Sequence, residues 1–226
     1  MRRFYQGPYS TAFPDEDERE AFANMVTYLR GSGGSACDYH VVLVVDGDDI
    51  IGGSISDYFA PSNSAVIEFI TVAVDRQTAG VGSRLLAETE RRLQASAARR
   101  GRELPLIMAE INDPRAVNPV PETMDPFARA RWWAKRGFAR LDFPYVQPPL
   151  SPQQQPVRHL ALSVKLLPGT TTPPALRLQA SAVDAFIRDY LVYAMRIAEP
   201  TASADYLAMA DWLSRHPVVR LVPLDA

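Results

Sequence analysis

Along the first third of the chain the apolar positions change their period. Ala21, Met25, Tyr28 and Leu29 recur at helical spacing and predict a helix from about Pro14 to Arg30. Its entry through Asp15, Glu16, Asp17 and Glu18 suits the positive end of a helix dipole. A glycine- and serine-rich stretch over 31–35 breaks it. β-Branched runs follow at Tyr39–Val45, Ile50–Phe59 and Ala65–Val74, separated by Asp46-Gly47-Asp48-Asp49 and by the loop Pro61–Ser64. Runs of this kind on short connections predict an antiparallel meander, with Gly52-Gly53 as the place for a bulge.

Ser83–Arg100 is the strongest helical pattern. Val81, Leu85, Leu86 and Leu93 form its buried side, Glu88 stands four residues before Arg92, and Gly101 fits the position just past the end. Leu104–Ile111 reads as a short buried strand. Asp125-Pro126 is an N-cap with proline at the first helical position, opening a helix to Arg136. Phe138–Phe143 and Val157–Leu166 read as further strands. From Gln179 the pattern is helical again, with Val183, Ile187, Tyr190, Ala194 and Ile197 on one stripe. Glu199-Pro200 breaks this helix, Ala204–Ser214 predicts a second, and Val218–Val222 a last strand.

The composition is that of a globular protein, with 47% apolar and 22% charged residues. A net charge of −2 removes the bulk electrostatic argument for nucleic acid or an anionic membrane, so neither is expected as a partner. The single cysteine, Cys37, excludes an internal disulfide and a cysteine-based zinc cluster. His40, His159 and His216 lack metal-ligand spacing, so no metal is expected. The longest aliphatic run, Val41–Val45, falls far below the roughly 20 residues of a membrane span. With no apolar core after the basic start, a cytoplasmic protein is expected. Of the 19 prolines, 12 lie between Asn112 and Phe127 or between Phe143 and Ala175.

The stretch from Val66 to Leu86 carries the chemistry: a buried strand runs into a glycine turn that opens a long helix. Amides of such a turn and of the first helical residues have no intrahelical partner and converge on an anion. Gly80 and Gly82 let a phosphate approach the backbone. The Walker A pattern fails, because no Lys-Ser/Thr follows the second glycine, and G-x-G-x-x-G fails at Leu85.

The spacing Gln77-x-x-Gly80-x-Gly82 resembles the pyrophosphate-binding motif, R/Q-x-x-G-x-G/A, of the GNAT superfamily of CoA-dependent N-acyltransferases. Val72 stands where that family has the strand residue whose backbone pairs with pantetheine. Trp132-Trp133-Ala134-Lys135-Arg136-Gly137-Phe138 resembles the family's F-Y-x-x-x-G-F. The resemblance covers roughly residues 10–165. It implies an α+β fold in three layers, a central mixed, mostly antiparallel twisted sheet flanked by helices, in a domain over 1–166. Residues 167–226 then form a C-terminal helical extension, packed on that domain or on a partner; a homodimer is left open.

The resemblance further implies acetyl transfer from acetyl-CoA, as co-substrate, to a primary amine of a small molecule or peptide. Val72, Ala73, Val74, Gln77, Thr78, Ala79, Gly80, Val81, Gly82, Ser83 and Trp133 are the expected cofactor contacts. Glu68, four residues before Val72, is the expected general base. Strict alternation places it on the face of Val66, Ile70 and Val72, where apolar surroundings raise a carboxyl pKa. Glu110 and Asn112 share a parity at the end of the next strand and are candidates for the acceptor side, Glu110 catalytic and Asn112 substrate-binding. Where the family often has a tyrosine that protonates the thiolate, this chain has Trp133, and an indole is no acid. Either the thiolate leaves unprotonated or Tyr145 is the acid. The missing tyrosine keeps a second reading open, a GNAT-like module that holds CoA for regulation or interaction without turnover.

Overall fold

The computed structural model describes residues 1–31, 36–117, 124–149, 153–168 and 176–225. Residues 32–35 of the glycine-rich loop and 118–123 of the proline-broken segment after Asp113 therefore lie outside the described residues. The chain divides into two compact units, Met1–Leu104 and Pro105–Ala226. The segment from 167 onward falls within the second unit.

The first unit opens with short helical pieces that the apolar pattern does not announce: α1 (Arg2–Phe4), a π turn (Tyr5–Tyr9) and α2 (Ser10–Ala12). They bury Phe4 and Tyr9, and Tyr9 meets the Phe69 ring edge-on at 4.9 Å. The helix expected from Pro14 starts only at Phe22, as α3 (Phe22–Gly31). The acidic entry folds as a turn instead, because the Asp15 carboxylate accepts the Asp17 N–H at 2.9 Å and so competes with helical bonding. Glu20 takes over the capping, accepting from Ala21 N–H at 2.7 Å and from the Asn24 side-chain amide at 2.6 Å.

The expected meander is present as β1 (Cys37–Asp46), β2 (Asp49–Phe59) and β3 (Ser64–Val72), all antiparallel neighbours. It contains two register shifts. The first leaves Ile51 without a partner, between Val44↔Gly52 and Val45↔Ile50, so the bulge falls one residue before the glycine pair. The second skips Glu68 in the register, between Ile55↔Phe69 and Ser56↔Ile67.

β3 ends at Val72, two residues earlier than its β-branched run suggests, and a 3₁₀ turn (Val74–Ala79) leads into α4 (Val81–Ala98). α4 buries Val81 and Leu85 against Val72, with Val42 and Ile70 packed around them. A polar seam runs beside this apolar one. The Thr89 hydroxyl donates to the Leu85 carbonyl, so at the 2.6 Å contact between Ser54 and Thr89 it is Ser54 that donates. Glu88 pairs with Arg92 at 2.8 Å, as its spacing predicts, and also with Arg91.

The second unit holds β4 (Leu106–Asn112), α5 (Pro126–Ala134), β5 (Phe138–Leu141), β6 (Leu160–Leu166), β7 (Arg177–Gln179), α6 (Ala180–Asp189), α7 (Ala204–Arg215) and β8 (Val218–Val222). Its strands lie in the order β4-β6-β5-β8-β7, and each pair is antiparallel. Asp125 caps α5 as its sequence predicts, accepting the Phe127 N–H at 3.0 Å. α6 runs into a π turn (Tyr190–Ala194). The C-terminal segment is thus helical as expected, but it also contributes β7, and β8 pairs with β5. Among the described residues no helix is long and apolar enough to cross a membrane.

One ion pair ties β1 to the end of α4. Asp38 accepts from Arg100 at 2.8 and 3.0 Å and from Arg99 at 2.8 Å. Burial works against the charge on Asp38, but hydrogen bonds from Arg100, Ser96 and Arg99 outweigh it and hold the carboxyl down to about 2. A folded-state value below the unfolded one, about 4, means stability that is present above pH 4 and lost as pH falls toward 2. Replacing Asp38 by Asn should therefore destabilise the protein by about 1–2 kcal/mol at neutral pH after allowance for solvent screening. In urea unfolding, the gap between the two proteins should close between about pH 4 and pH 2.

Candidate functional site

The 3₁₀ turn and the start of α4 form the structural counterpart of the glycine motif. Gly80 sits at φ +71°, ψ 7° as the residue before α4, and a Cβ there would meet nothing within 4 Å. Glycine is required by the left-handed backbone, not by crowding. No side chain caps this helix, whose first turn holds Val81, Gly82 and Ser83. The backbone of Thr78 and Ala79 completes the 3₁₀ turn.

The strand end before the turn is held by a close approach. Ala73 donates its N–H to Ile51 O at 2.7 Å, which makes Gly52↔Val72 a pair of the type without mutual hydrogen bonds. The N–H and C=O of Val72 accordingly face away from β2. A Cβ on Gly52 would lie 2.5 Å from Thr71 O and 3.1 Å from Val72 Cα, so only glycine fits. The Gln77 amide donates to Val72 O at 3.1 Å and braces the turn against the strand it leaves. That carbonyl, a candidate partner of pantetheine, already has one donor, and an amide oxygen offers two lone pairs. Val74, also expected as a backbone partner, belongs to the 3₁₀ turn and not to the strand.

Glu68 stands elsewhere than alternation predicts. The extra residue in β3 breaks the two-residue period between Val66 and Ile70. Ile70 and Val72 turn to α4, whereas Phe69 packs against the cluster of Phe4, Tyr9, Met25, Tyr39 and Ile55. Glu68 belongs to this second side, within electrostatic reach of Tyr9 and Tyr39. Burial, above all, pushes both phenols up. For Tyr9 the Glu20 N–H bound to its oxygen pulls the other way, while the Glu20 and Glu68 carboxylates add to the rise. For Tyr39, Glu68 and then Asp57 add to it. One Glu68 carboxylate oxygen is shielded from water.

In the second unit the structure joins two of the expected residues and adds one that was not foreseen. The hydroxyl of Tyr145 donates to Glu110 Oε1, and that of Tyr190 donates to Glu110 Oε2 at 2.6 Å. Asn112, half-buried at the end of β4 opposite Leu160, shares the Glu110 side of the strand. Tyr190 lies on the apolar stripe of the C-terminal segment, where the spacing predicts plain core. The available signal was the phenol itself, since a buried tyrosine hydroxyl has to find a partner.

No protein-family model matches the chain, and no curated protein sequence does. Among solved structures, it superposes with a TM-score of 0.60 on a protein from Bacteroides thetaiotaomicron assigned to the GNAT family of acetyltransferases, at 18% identity, over 86% of this chain and 91% of that one. The chain has the GNAT fold. Looser matches include an IAA acetyltransferase from Bacillus cereus (TM-score 0.46, 15% identity, 72% and 91% covered). Another is a GNAT acetyltransferase from Elizabethkingia anophelis with acetyl-CoA bound (TM-score 0.43, 15% identity, 72% and 90% covered).

Within this GNAT fold Trp133 is a packing residue. It is 5% exposed and meets Phe138 edge-on at 4.7 Å and Trp132 at 5.2 Å, which fastens α5 to β5. Trp132 carries the Arg136 guanidinium over its ring at 3.7 Å.

The left-handed residue of the turn gives a direct test. Gly80→Ala adds no clash, so its whole cost is backbone strain, about 1–2 kcal/mol, read as a lower urea midpoint with an unchanged slope.

Proposed function

We propose that this protein transfers the acetyl group of acetyl-CoA to a primary amine. The observation that carries the reading is the turn at Gln77–Gly82. It is a glycine-hinged strand end, with outward-facing Val72 backbone, opening onto an uncapped helix in a GNAT-fold chain. In this reading the first-turn amides of α4 receive the pyrophosphate of CoA, where the helix dipole favours its charge. Thr78, Ala79, Gly80, Val81, Gly82 and Ser83 line that position. The pantetheine arm runs back along β3, pairing with Val72.

The arm directs the thioester toward the residues before Val72. Glu68 stands four residues upstream, about 13 Å along an extended strand. The bulge turns it toward the N-terminal helices, off the face that carries α4. The amine nitrogen attacks the thioester carbonyl carbon, a C–N bond forms and the C–S bond breaks. The proton shed by the nitrogen passes to Glu68, and CoA leaves as the thiolate. Tyr145 is not needed as an acid, because its hydroxyl proton is directed at Glu110. The acceptor is a small molecule or a peptide amine.

Calorimetry with CoA is expected to show binding, and acetyl-CoA with a panel of primary amines is expected to release thiol. Glu68→Gln should lower kcat about a hundredfold or more while leaving CoA affinity unchanged. Failure to bind CoA would overturn the reading. Binding without thiol release for any amine would favour the alternative, a CoA-holding regulatory or interaction module.

A further inference from the structure

One strand of the first unit still has backbone groups to offer. β1 stands at the end of the ladder β1-β2-β3, with β2 on one side of it. Ala60 donates its N–H to Ala36 O at 2.8 Å, one step beyond the pair Cys37↔Phe59. Ala36 and Ala60 are therefore a hydrogen-bonded pair, and the alternation of an antiparallel ladder fixes the type of each pair that follows. The backbones of Asp38, His40, Val42 and Val44 bond to β2. The N–H and C=O of Tyr39, Val41 and Leu43 point away from it. Among the described residues no hydrogen bond reaches these outward groups.

Open edges are ordinarily defended by lysine, by proline, or by a bulge that twists the edge strand away. From Tyr39 to Val45 the strand reads Tyr-His-Val-Val-Leu-Val-Val and carries none of these residues. The register shift near its end places the extra residue, Ile51, on β2, so the alternation of β1 runs on unbroken. Its charges, Asp38 and Asp46, stand at the two ends. A β-branched, uncharged run of this kind pairs with another strand when its edge is open.

The occupant that fits is a second copy. Turned about a twofold axis through Val41, two β1 strands meet antiparallel, with Val41 opposite Val41 and Tyr39 opposite Leu43 of the second copy. Every outward group of Tyr39, Val41 and Leu43 then has a partner, because residues that face away from β2 face each other in the new ladder. The charges agree with this direction. At the start of β1, Asp38 is held by both Arg99 and Arg100, which leaves that end positive. At the other end Asp46 pairs with Arg76 and Asp49 with Arg3, and Asp48 adds a further negative charge. An antiparallel pair sets the positive end of each copy beside the negative end of the other.

We propose that the outer edge of β1 is a dimer interface, which pairs antiparallel with β1 of a second copy about Val41. It is independent of the acetyltransferase reading, since it uses no residue of the Gln77–Gly82 turn.

Sedimentation equilibrium of the full chain at micromolar concentration should give twice the chain mass of 25.0 kDa. Val41→Pro should give a folded monomer, because the lost N–H bonds nothing on β2 and proline is accepted on edge strands. Val45→Cys reads the register without disturbing the core, since Val45 is 58% exposed. Residue 45 lies opposite Cys37 of the second copy, with Cα atoms about 5.5 Å apart, within the range of a disulfide. Inside one chain the two positions are separated by roughly 26 Å of extended strand and cannot be bridged. Mild oxidation should therefore turn Val45→Cys, and not the wild type, into a covalent dimer that a reductant reverses. A wild-type mass of a single chain overturns the proposal. So does a Val41→Pro chain that keeps the wild-type circular dichroism and remains a dimer, and so does a dimer in which Val45→Cys forms no interchain disulfide. If Val41→Pro fails to fold, the crosslink decides alone. Large heterogeneous species in place of a dimer mark an edge prone only to aggregation and overturn the proposal as well.

Discussion

The contact on which the candidate cofactor site depends is the close pairing of Gly52 with Val72. It leaves no room for a side chain on β2 and fixes where β3 stops. The stop decides the rest. Val72 is the last residue in register, Ala73 closes the ladder onto Ile51, and the chain must turn at once. Gln77 reaches back to the strand it has just left. Gly80 then takes the left-handed conformation from which α4 starts, with no side chain capping its first turn. The geometry of the candidate site is therefore a consequence of how a strand is terminated.

Features of this site were readable in the sequence to the extent that they are local. The strand-to-helix turn, the apolar side of α4 and the Asp125-Pro126 cap are each written within a few residues, and each lies where the pattern predicts. The face of Glu68 was not readable. Alternation assumes an unbroken ladder, and the bulge that shifts Glu68 exists only in the pairing with β2. The N-terminal helical pieces were invisible for another reason, since segments of three to five residues around Gly7 and Pro8 are too short to show a period. Tyr190 was read as core because a helical stripe reports burial and says nothing about which hydroxyl partner waits 80 residues away.

Acids in this chain are held by two kinds of partner. At Asp38 the ends of β1 and α4 are clamped by arginines, an arrangement suited to holding elements together. At Glu110 and at Asp184 the partners include tyrosine hydroxyls, and Asp184 also pairs with Arg188 at 2.9 Å. A guanidinium adds attraction between opposite charges, whereas a phenol mainly adds direction.

The π turn after α6 acts as a spacer between two helices. Each residue of a helix advances it by about 100°, and a π turn carries one residue more than an α turn. Beyond it the chain leaves helical geometry, with Arg196 at φ +56° and Ser203 extended, before α7 brings Tyr206 to Asp184 and the Arg188 guanidinium lies 5.8 Å from its ring. Removing a single residue from 190–194 would change which of its side chains face inward, where Tyr190, Leu191 and Ala194 are now buried. Its coding constraint is a count of residues as well as a choice of them.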